Sequence, residues 1–191
     1  MNFYQMETIS INTPRLFIRN LQLKDLDAFH SYRSQEAVML YQGSDIMNKA
    51  QAKEFILDQK DKQFGKAGKW VQYAIENKAI GILIGDCAIK LQETDPRIAE
   101  IGMTISPVSQ RKGFGKEAFL AITAFLFDTK KIHRIVETVD AENTASIRLL
   151  QSTGFREEGY FIENIFFNGK WGSEYQYAML RTEWEGRKNT N

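Results

Sequence analysis

The sequence predicts an α/β domain in which a mixed, twisted sheet is flanked by helices. Three observations lead there. A β-type run over Ile101–Ile105 passes through a polar loop containing Gly113 and Gly115 into a long apolar run, Ala118–Phe127. Ahead of it, alternating apolar runs separated by turn residues mark antiparallel strands. Behind it, strand, helix and two further strands follow in turn. A length of 191 residues, with 43% hydrophobic and 26% charged side chains, suits one domain with its own core.

Each element has a local reason. Arg15 to Arg19 alternates after Thr13-Pro14 and predicts the first strand. Lys24–Asp27 opens a helix with Leu26, Phe29 and Tyr32 on one face. Glu36–Tyr41 is a second short helix or turn, broken at Gly43-Ser44-Asp45. Asn48 caps a polar helix over Lys49–Phe64, with Ala52, Phe55, Ile56 and Gln59 on one side. Trp70–Glu76 is a strand, Asn77-Lys78 turns the chain, and Ala79–Leu91 is a longer strand with Gly81 and Gly85 as candidate bulges. Ile98–Ile105 is the next strand. Pro107, which cannot donate to a ladder, stops the chain from pairing further. The apolar helix ends near Thr129, and Arg134–Val139 is a strand. Asp140–Asn143 leads into a helix over Thr144–Ser152, closed by Gly154. Phe155–Phe166 and Glu174–Arg181 form a last hairpin across Asn168-Gly169-Lys170-Trp171. Residues 1–184 read as one domain and 185–191 as a polar tail.

Composition narrows the function classes. A net charge of +1 gives no general basis for binding nucleic acid or a membrane surface. The single cysteine, Cys87, excludes an internal disulfide and fits a reducing cytoplasm. Cys87 reads as a small buried hydrophobe. Two histidines, His30 and His133, lie too far apart in sequence for a His-rich metal site, and no metal is expected. The N-terminus lacks a basic region followed by an apolar core, so no signal peptide is expected. Apolar stretches break off before membrane-spanning length. A homodimer is left open.

The loop after Ile105 carries the chemistry. Strand, glycine loop and helix start in succession make a site for phosphate. The first amides of a helix lack internal partners, and the helix dipole favours negative charge there. Glycine admits close approach of the backbone, and Arg111, Lys112 and Lys116 add positive charge. Neither the Walker spacing nor the Gly-x-Gly-x-x-Gly dinucleotide form is present. The alternative is a tight strand-to-helix turn that holds no ligand.

Gln110, Gly113 and Gly115 match Gln-x-x-Gly-x-Gly, which resembles the coenzyme A pyrophosphate loop of the GNAT family of N-acetyltransferases. The order of elements is similar to that family along nearly the whole chain. Several short pieces resemble the branch containing ribosomal-protein N-terminal acetyltransferases: Thr13-Pro14-Arg15-Leu16 with Asp25, Ile84-Gly85-Asp86, Ala99–Gly102, Asn143-x-x-Ser146 with Leu149-Leu150, Gly154-Phe155, Glu158-Gly159 and Leu180-x-x-Glu183-Trp184. The resemblance implies a sheet splayed at its centre and acetyl-CoA as co-substrate. It also implies an amine acceptor, either a protein N-terminal α-amine or a small molecule.

It further implies roles by position. Met103, Thr104 and Ile105 would pair with the pantetheine arm, and Gln110, Arg111, Lys112, Gly113, Phe114, Gly115 and Lys116 would hold the pyrophosphate. Phe114 alternatively packs beneath the loop. Asn143 would contact the coenzyme, cap a helix, or do both. An alkyl ammonium has a pKa of about 10, so a proton must leave before the amine attacks the thioester. Glu100 stands where family members place that base, or is a solvated strand-end carboxylate. A backbone N–H on the preceding strand would stabilise the oxyanion of the tetrahedral intermediate. The tyrosine that many members use to protonate the thiolate is Leu150 here, and Ser146 is the replacement donor or a plain polar residue of the first helical turn. Tyr32, Arg33, Glu36 and Tyr41 lie in the acceptor segment, the charged pair on a solvated face. Tyr175 and Tyr177 share one face of the last strand and read as packing. Ser173 stands where relatives carry aspartate, which weakens any shared acceptor preference. A coenzyme-sensing domain without turnover and a nucleotide-binding regulator are the competing functions.

Overall fold

The computed structural model describes residues 8–42, 46–60, 62–167 and 169–188. The break expected at Gly43-Ser44-Asp45, Asn168 of the last turn, and residues 189–191 of the tail lie outside them. A sheet of eight strands runs in the order β1 (Ile11–Asn12), β2 (Leu16–Asn20), β3 (Trp70–Asn77), β4 (Ile82–Leu91), β5 (Ile98–Ile105), β6 (Arg134–Asp140), β8 (Lys170–Leu180), β7 (Arg156–Phe167). Every neighbouring pair is antiparallel except β5–β6. That parallel pair needs a crossover, supplied by α4 (Phe114–Ala124) and a π-helical turn over Phe125–Thr129.

Helices cover both faces. α1 (Leu26–Arg33), α2 (Glu36–Met39) and α3 (Lys49–Lys60) follow β2. Phe29 and Tyr32 from α1 and Ala52 and Ile56 from α3 pack with Ala74 and Leu83 on one side of the sheet. The other side carries the larger core. Ala118, Phe119 and Ile122 of α4 meet Ile75, Ile89, Ile101 and Ile135 there, together with Leu150 of α5 (Thr144–Ser152). The Phe119, Ile122 and Leu126 set is therefore core, as its spacing suggests. Burial of each such side chain contributes about 1.5–3 kcal/mol.

Local chemistry sets the element ends. Asn48 Oδ1 accepts from the Gln51 amide at 3.0 Å while Gln51 Oε1 accepts from the Asn48 amide at 2.9 Å, a reciprocal cap for α3. That helix stops at Lys60, short of the expected Phe64, whose side chain turns into the main core. β4 starts at Ile82, later than the expected Ala79. Gly81, at φ +65°, closes a turn in which its N–H donates to the Asn77 carbonyl at 2.8 Å. The bulge lies beside Gly85. Ile75 pairs with Gly85 and Glu76 with Leu83, which leaves Ile84 unpaired. This extra residue lets Ile84 and Cys87 both face α4, while Leu83 and Asp86 face α1. A Cβ on Gly85 would collide with the Thr104 carbonyl, so the close approach of β4 and β5 requires glycine.

Helical structure continues past Trp184 as far as Lys188. α6 (Arg181–Lys188) docks the C-terminal segment. Trp184 Nε1 donates to Asp128 at 3.0 Å, and Arg187 donates to the Thr153 carbonyl at 2.8 Å and to the Gly154 carbonyl. Among the described residues no helix is long and apolar enough to cross a membrane.

Candidate active site

The site begins where β5 and β6 separate. The two strands pair only at Ile98 with Arg134 and Ala99 with Ile135. Beyond this seam they diverge, and one edge of β5 is left without a ladder. Alternation identifies the groups on that edge. The Ile101 N–H points into the gap and is taken by the Glu137 carboxylate of β6 at 2.9 Å, so a side chain stands where a β6 carbonyl would otherwise be. The next amide on the same edge belongs to Met103. The Ile105 carbonyl, further along, accepts from the Gln110 side chain at 2.9 Å.

Past Ile105 the chain makes a 3-10 turn, Pro107–Ser109, and then the glycine loop. Arg111 and Gly113 both have left-handed backbones, at φ +59° and +79°. Gly113 is the N-cap of α4, and no side chain caps the helix there. The first-turn amides of α4 thus face outward beside the exposed Arg111, Lys112 and Lys116. A Cβ on Gly113 would meet only the Arg15 guanidinium, at 3.3 Å.

Arg15 fastens this loop to the start of β2. Its Nη1 donates to the Lys112 carbonyl at 2.9 Å, and its guanidinium lies 4.5 Å from the centre of the Phe114 ring. Its Nε and backbone N–H both donate to Glu117 of α4, at 2.5 and 3.0 Å. Thr13 Oγ1 donates to the same carboxylate at 2.5 Å. Burial alone would raise the Glu117 pKa, but the donors from Thr13 and Arg15 hold it below the ordinary glutamate value.

A cleft of about 380 Å³ opens between the diverging strands. Glu100, Met103, Asn143 and Ser146 all line it, so four of the residues singled out from sequence converge. Asn143 caps α5, its Oδ1 accepting from the Ser146 amide at 3.1 Å. Glu100 lies across from Lys90 and pairs with it at 2.8 Å; Lys90 in turn sits 4.8 Å from the centre of the Trp70 ring. Gln110, Arg111, Lys112, Gly113, Phe114, Gly115 and Lys116 form the loop outside the cleft. Ile105 packs against the core at their base. Thr104 faces the opposite side of the sheet, where its hydroxyl donates to Gln42 at 3.0 Å. Phe114 packs against the core beneath Arg15. Leu150 is buried at the end of α5 and also reaches the cleft.

Other expectations change. Arg33 is not on a solvated face. It is 6% exposed and donates to Asp86 from Nε at 3.2 Å and from Nη2. Tyr32 donates to the same carboxylate at 2.5 Å, and Gln72 Nε2 completes the set. Burial, then Asp86, pushes the Tyr32 hydroxyl well above its usual pKa. Tyr32 and Arg33 are thus buried on Asp86 and do not line the cleft, whereas Tyr41 does. Tyr177 is buried and Tyr175 packs on Tyr160, with ring centres 4.7 Å apart. Ser173 Oγ accepts from the Glu163 amide at 2.9 Å. Cys87 is fully buried, which pushes its thiol pKa well up.

Glu137 is the residue sequence reasoning missed. It is 8% exposed, and its second oxygen has no hydrogen bond within the described residues. Burial, reinforced by Glu100, raises its pKa well above the ordinary glutamate value, against the Ile101 hydrogen bond and Lys90. The signal was an acidic residue inside the apolar run Ile135–Val139.

Residues 15–156 match the family described as Acetyltransferase (GNAT) domain. An uncharacterized N-acetyltransferase of Bacillus subtilis (strain 168), YnaD, is 32% identical over 174 residues, 91% of this chain and 98% of that protein. The crystal structure of a GNAT-family acetyltransferase from Bacillus anthracis superposes with a TM-score of 0.82 at 30% identity, covering 92% of this chain and all (100%) of that one. A spermidine N-acetyltransferase from Vibrio cholerae, crystallised with CoA and spermine, shares the fold with a TM-score of 0.76 at 22% identity, over 91% of this chain and 99% of that one.

Proposed function

The chain belongs to the GNAT family of acetyltransferases, and from that we propose that it moves an acetyl group from acetyl-CoA to a primary amine by direct attack. One observation carries the reading: an uncapped, glycine-opened helix start stands at the end of a strand whose neighbouring edge is unpaired. The first suits a diphosphate and the second an extended amide chain, and a CoA thioester joins these two chemistries in one molecule. In this reading the amides and cations from Gln110 to Lys116 hold the pyrophosphate. The open edge at Met103 and Ile105 aligns the arm, and Asn143 contacts it from α5.

Acetyl-CoA supplies the activated acyl group. The chain's own groups do the rest. Glu100 takes the proton that the acceptor ammonium must lose. The Met103 N–H is the donor aimed at the carbonyl oxygen as charge builds there, an effect typically worth a few kcal/mol. The nitrogen–carbon bond forms and the carbon–sulfur bond breaks; the second proton of the nitrogen leaves to solvent as the amide forms, and the departing thiolate, steadied by a hydrogen bond from the Ser146 hydroxyl, takes up a proton from solvent.

Calorimetry with acetyl-CoA and a thiol-release assay against a panel of amines test this. Binding and turnover are expected, with binding lost in Gly113→Asp, which puts a side chain and a negative charge into the anion cradle. Unaltered affinity in that variant removes the loop from the mechanism. Tight binding with no turnover on any amine selects the sensor reading instead, which the buried Leu150 favours.

A further inference from the structure

We infer that the β7–β8 hairpin is a self-association surface, and that its partner is a second copy of this chain bound about a two-fold axis. This goes beyond the transferase reading and does not depend on it.

β7 is the outer strand of the sheet and runs for twelve residues. β6 supports β8 only from Glu174 onward. The end of the hairpin, Ile165–Phe167 paired with Lys170–Gly172, therefore extends past the rest of the sheet as two strands alone. A two-stranded hairpin by itself is marginal in water, because neither face is covered. Yet this arm is apolar. Tyr160, Phe161, Phe166, Phe167 and Trp171 are all exposed, and so are Ile162 and Ile165. None of the described β7 side chains belongs to either core. Phe166 meets Trp171 edge-on at 5.3 Å, which still leaves 60% and 59% of the two residues in water. The five aromatic side chains, at about 150–250 Å² each, leave roughly 400–600 Å² in water. With the two isoleucines the patch passes what a monomer ordinarily exposes and approaches the roughly 800 Å² per partner of a stable complex.

The rest of the surface says which partner fits. Among the described residues, Leu23, Ile46, Leu57 and Val108 are exposed singly on separate segments, and Ile80 and Ile82 flank one turn. Leu40, Tyr41 and Trp70 line the same cleft as Ile165 and Phe167, so they continue the patch instead of complementing it. An apolar patch with no complement elsewhere on the molecule finds one on its own copy, and such an isologous contact closes at two. Edge-to-edge growth of the sheet is not available. The opposite edge, β1, has only two residues to offer a strand of twelve. The free edge of β7 is itself interrupted by the bulge at Ile162–Asn164, where Glu163 has φ +46°. The contact is therefore packing of aromatic and aliphatic side chains, arm against arm, and not a continuous ladder. It borders the mouth of the cleft, because Ile165 and Phe167 line both.

Sedimentation equilibrium of the full chain from about 1 to 100 μM tests this. We expect twice the chain mass, with a dissociation constant below about 10 μM. Phe166→Glu and Ile162→Glu should each raise that constant at least about 100-fold, and Leu23→Glu, on a separate segment, should leave it unchanged. A monomer throughout the range, a dimer that persists in both arm variants, or a mass that keeps growing with concentration overturns the inference. So does flotation of a monomer with neutral phosphatidylcholine vesicles that Phe166→Glu abolishes, which would assign the arm to a lipid surface. Should an arm variant lose its circular dichroism spectrum, deuterium uptake of the wild type decides. Residues 160–172 should exchange more slowly above the dissociation constant than below it, and uptake independent of concentration overturns the inference. Neither coenzyme binding nor turnover enters the test, so its failure leaves the transferase reading untouched.

Discussion

Replacing Asp86 by asparagine should cost more stability than almost any other single change in the molecule. The side chain is fully buried, as is all but 8% of the Arg33 side chain. The carboxylate accepts from Tyr32, twice from Arg33, and from Gln72. Asparagine keeps the size but removes the charge, and its NH₂ group cannot accept from Arg33. A cation then remains in the core without a counter-ion. Breaking a buried pair in this way costs about 3–5 kcal/mol, against roughly 0–1 kcal/mol for an exposed pair. For a chain of this size, 3–5 kcal/mol corresponds to a fall in Tm of about 6–20 °C. Urea unfolding with the wild type, Asp86→Asn, Arg33→Met and the double variant measures it. The double variant should be more stable than Asp86→Asn alone, because methionine removes the stranded cation. A loss under about 1 kcal/mol, or a double variant no better than the single, would refute the reasoning.

Two further outcomes follow from the same kind of bookkeeping. Arg15→Ala should raise the Kd for acetyl-CoA roughly tenfold, near 1.4 kcal/mol, while lowering stability by no more than about 1 kcal/mol, since the residue is half exposed and acts by holding the Lys112 carbonyl and Glu117. Arg15→Lys should not restore affinity, because an ammonium lacks the fork that spans both partners; equal affinity in all three proteins by calorimetry would contradict this positioning role. Glu137 gives a pH signature. Its folded pKa is raised, so its stabilising contribution is complete below the ordinary glutamate value and declines as pH rises through the folded value. Glu137→Gln, which still accepts from Ile101, should therefore gain stability relative to wild type in going from pH 5 to pH 8, read by urea unfolding. A pH-independent difference would show that the carboxyl is not held protonated by its surroundings.

Sequence patterns were most informative where one residue decides a local conformation. Asn143 and Gly154 bracket α5 because a cap and a left-handed residue act within one turn. Gly113 and Gly115 marked the loop for the same reason. Partnerships across the chain were not readable. Arg33 meets Asp86 from 53 positions away, and helical spacing alone assigns a charged side chain to water. Arg15 and Glu117 are 102 positions apart. Glu137 is functionally suggestive only once β5 is seen to leave β6, since in a continuous sheet Ile101 would bond to backbone. The bulge at Ile84 had a similar effect: it reversed which residues of β4 face α1, and so placed Asp86 against Tyr32.

The two-residue seam between β5 and β6 has a mechanical consequence. The sheet is in effect two ribbons, one of five strands and one of three, stitched at Ile98–Ala99 and Arg134–Ile135. Their cohesion comes from the side chains of α4 and α5 beneath them, not from a ladder. Deuterium uptake should therefore be faster at Met103 than at its β4 neighbour Cys87, and a ligand lying in the notch should slow it, acting as a ninth strand that knits the ribbons together.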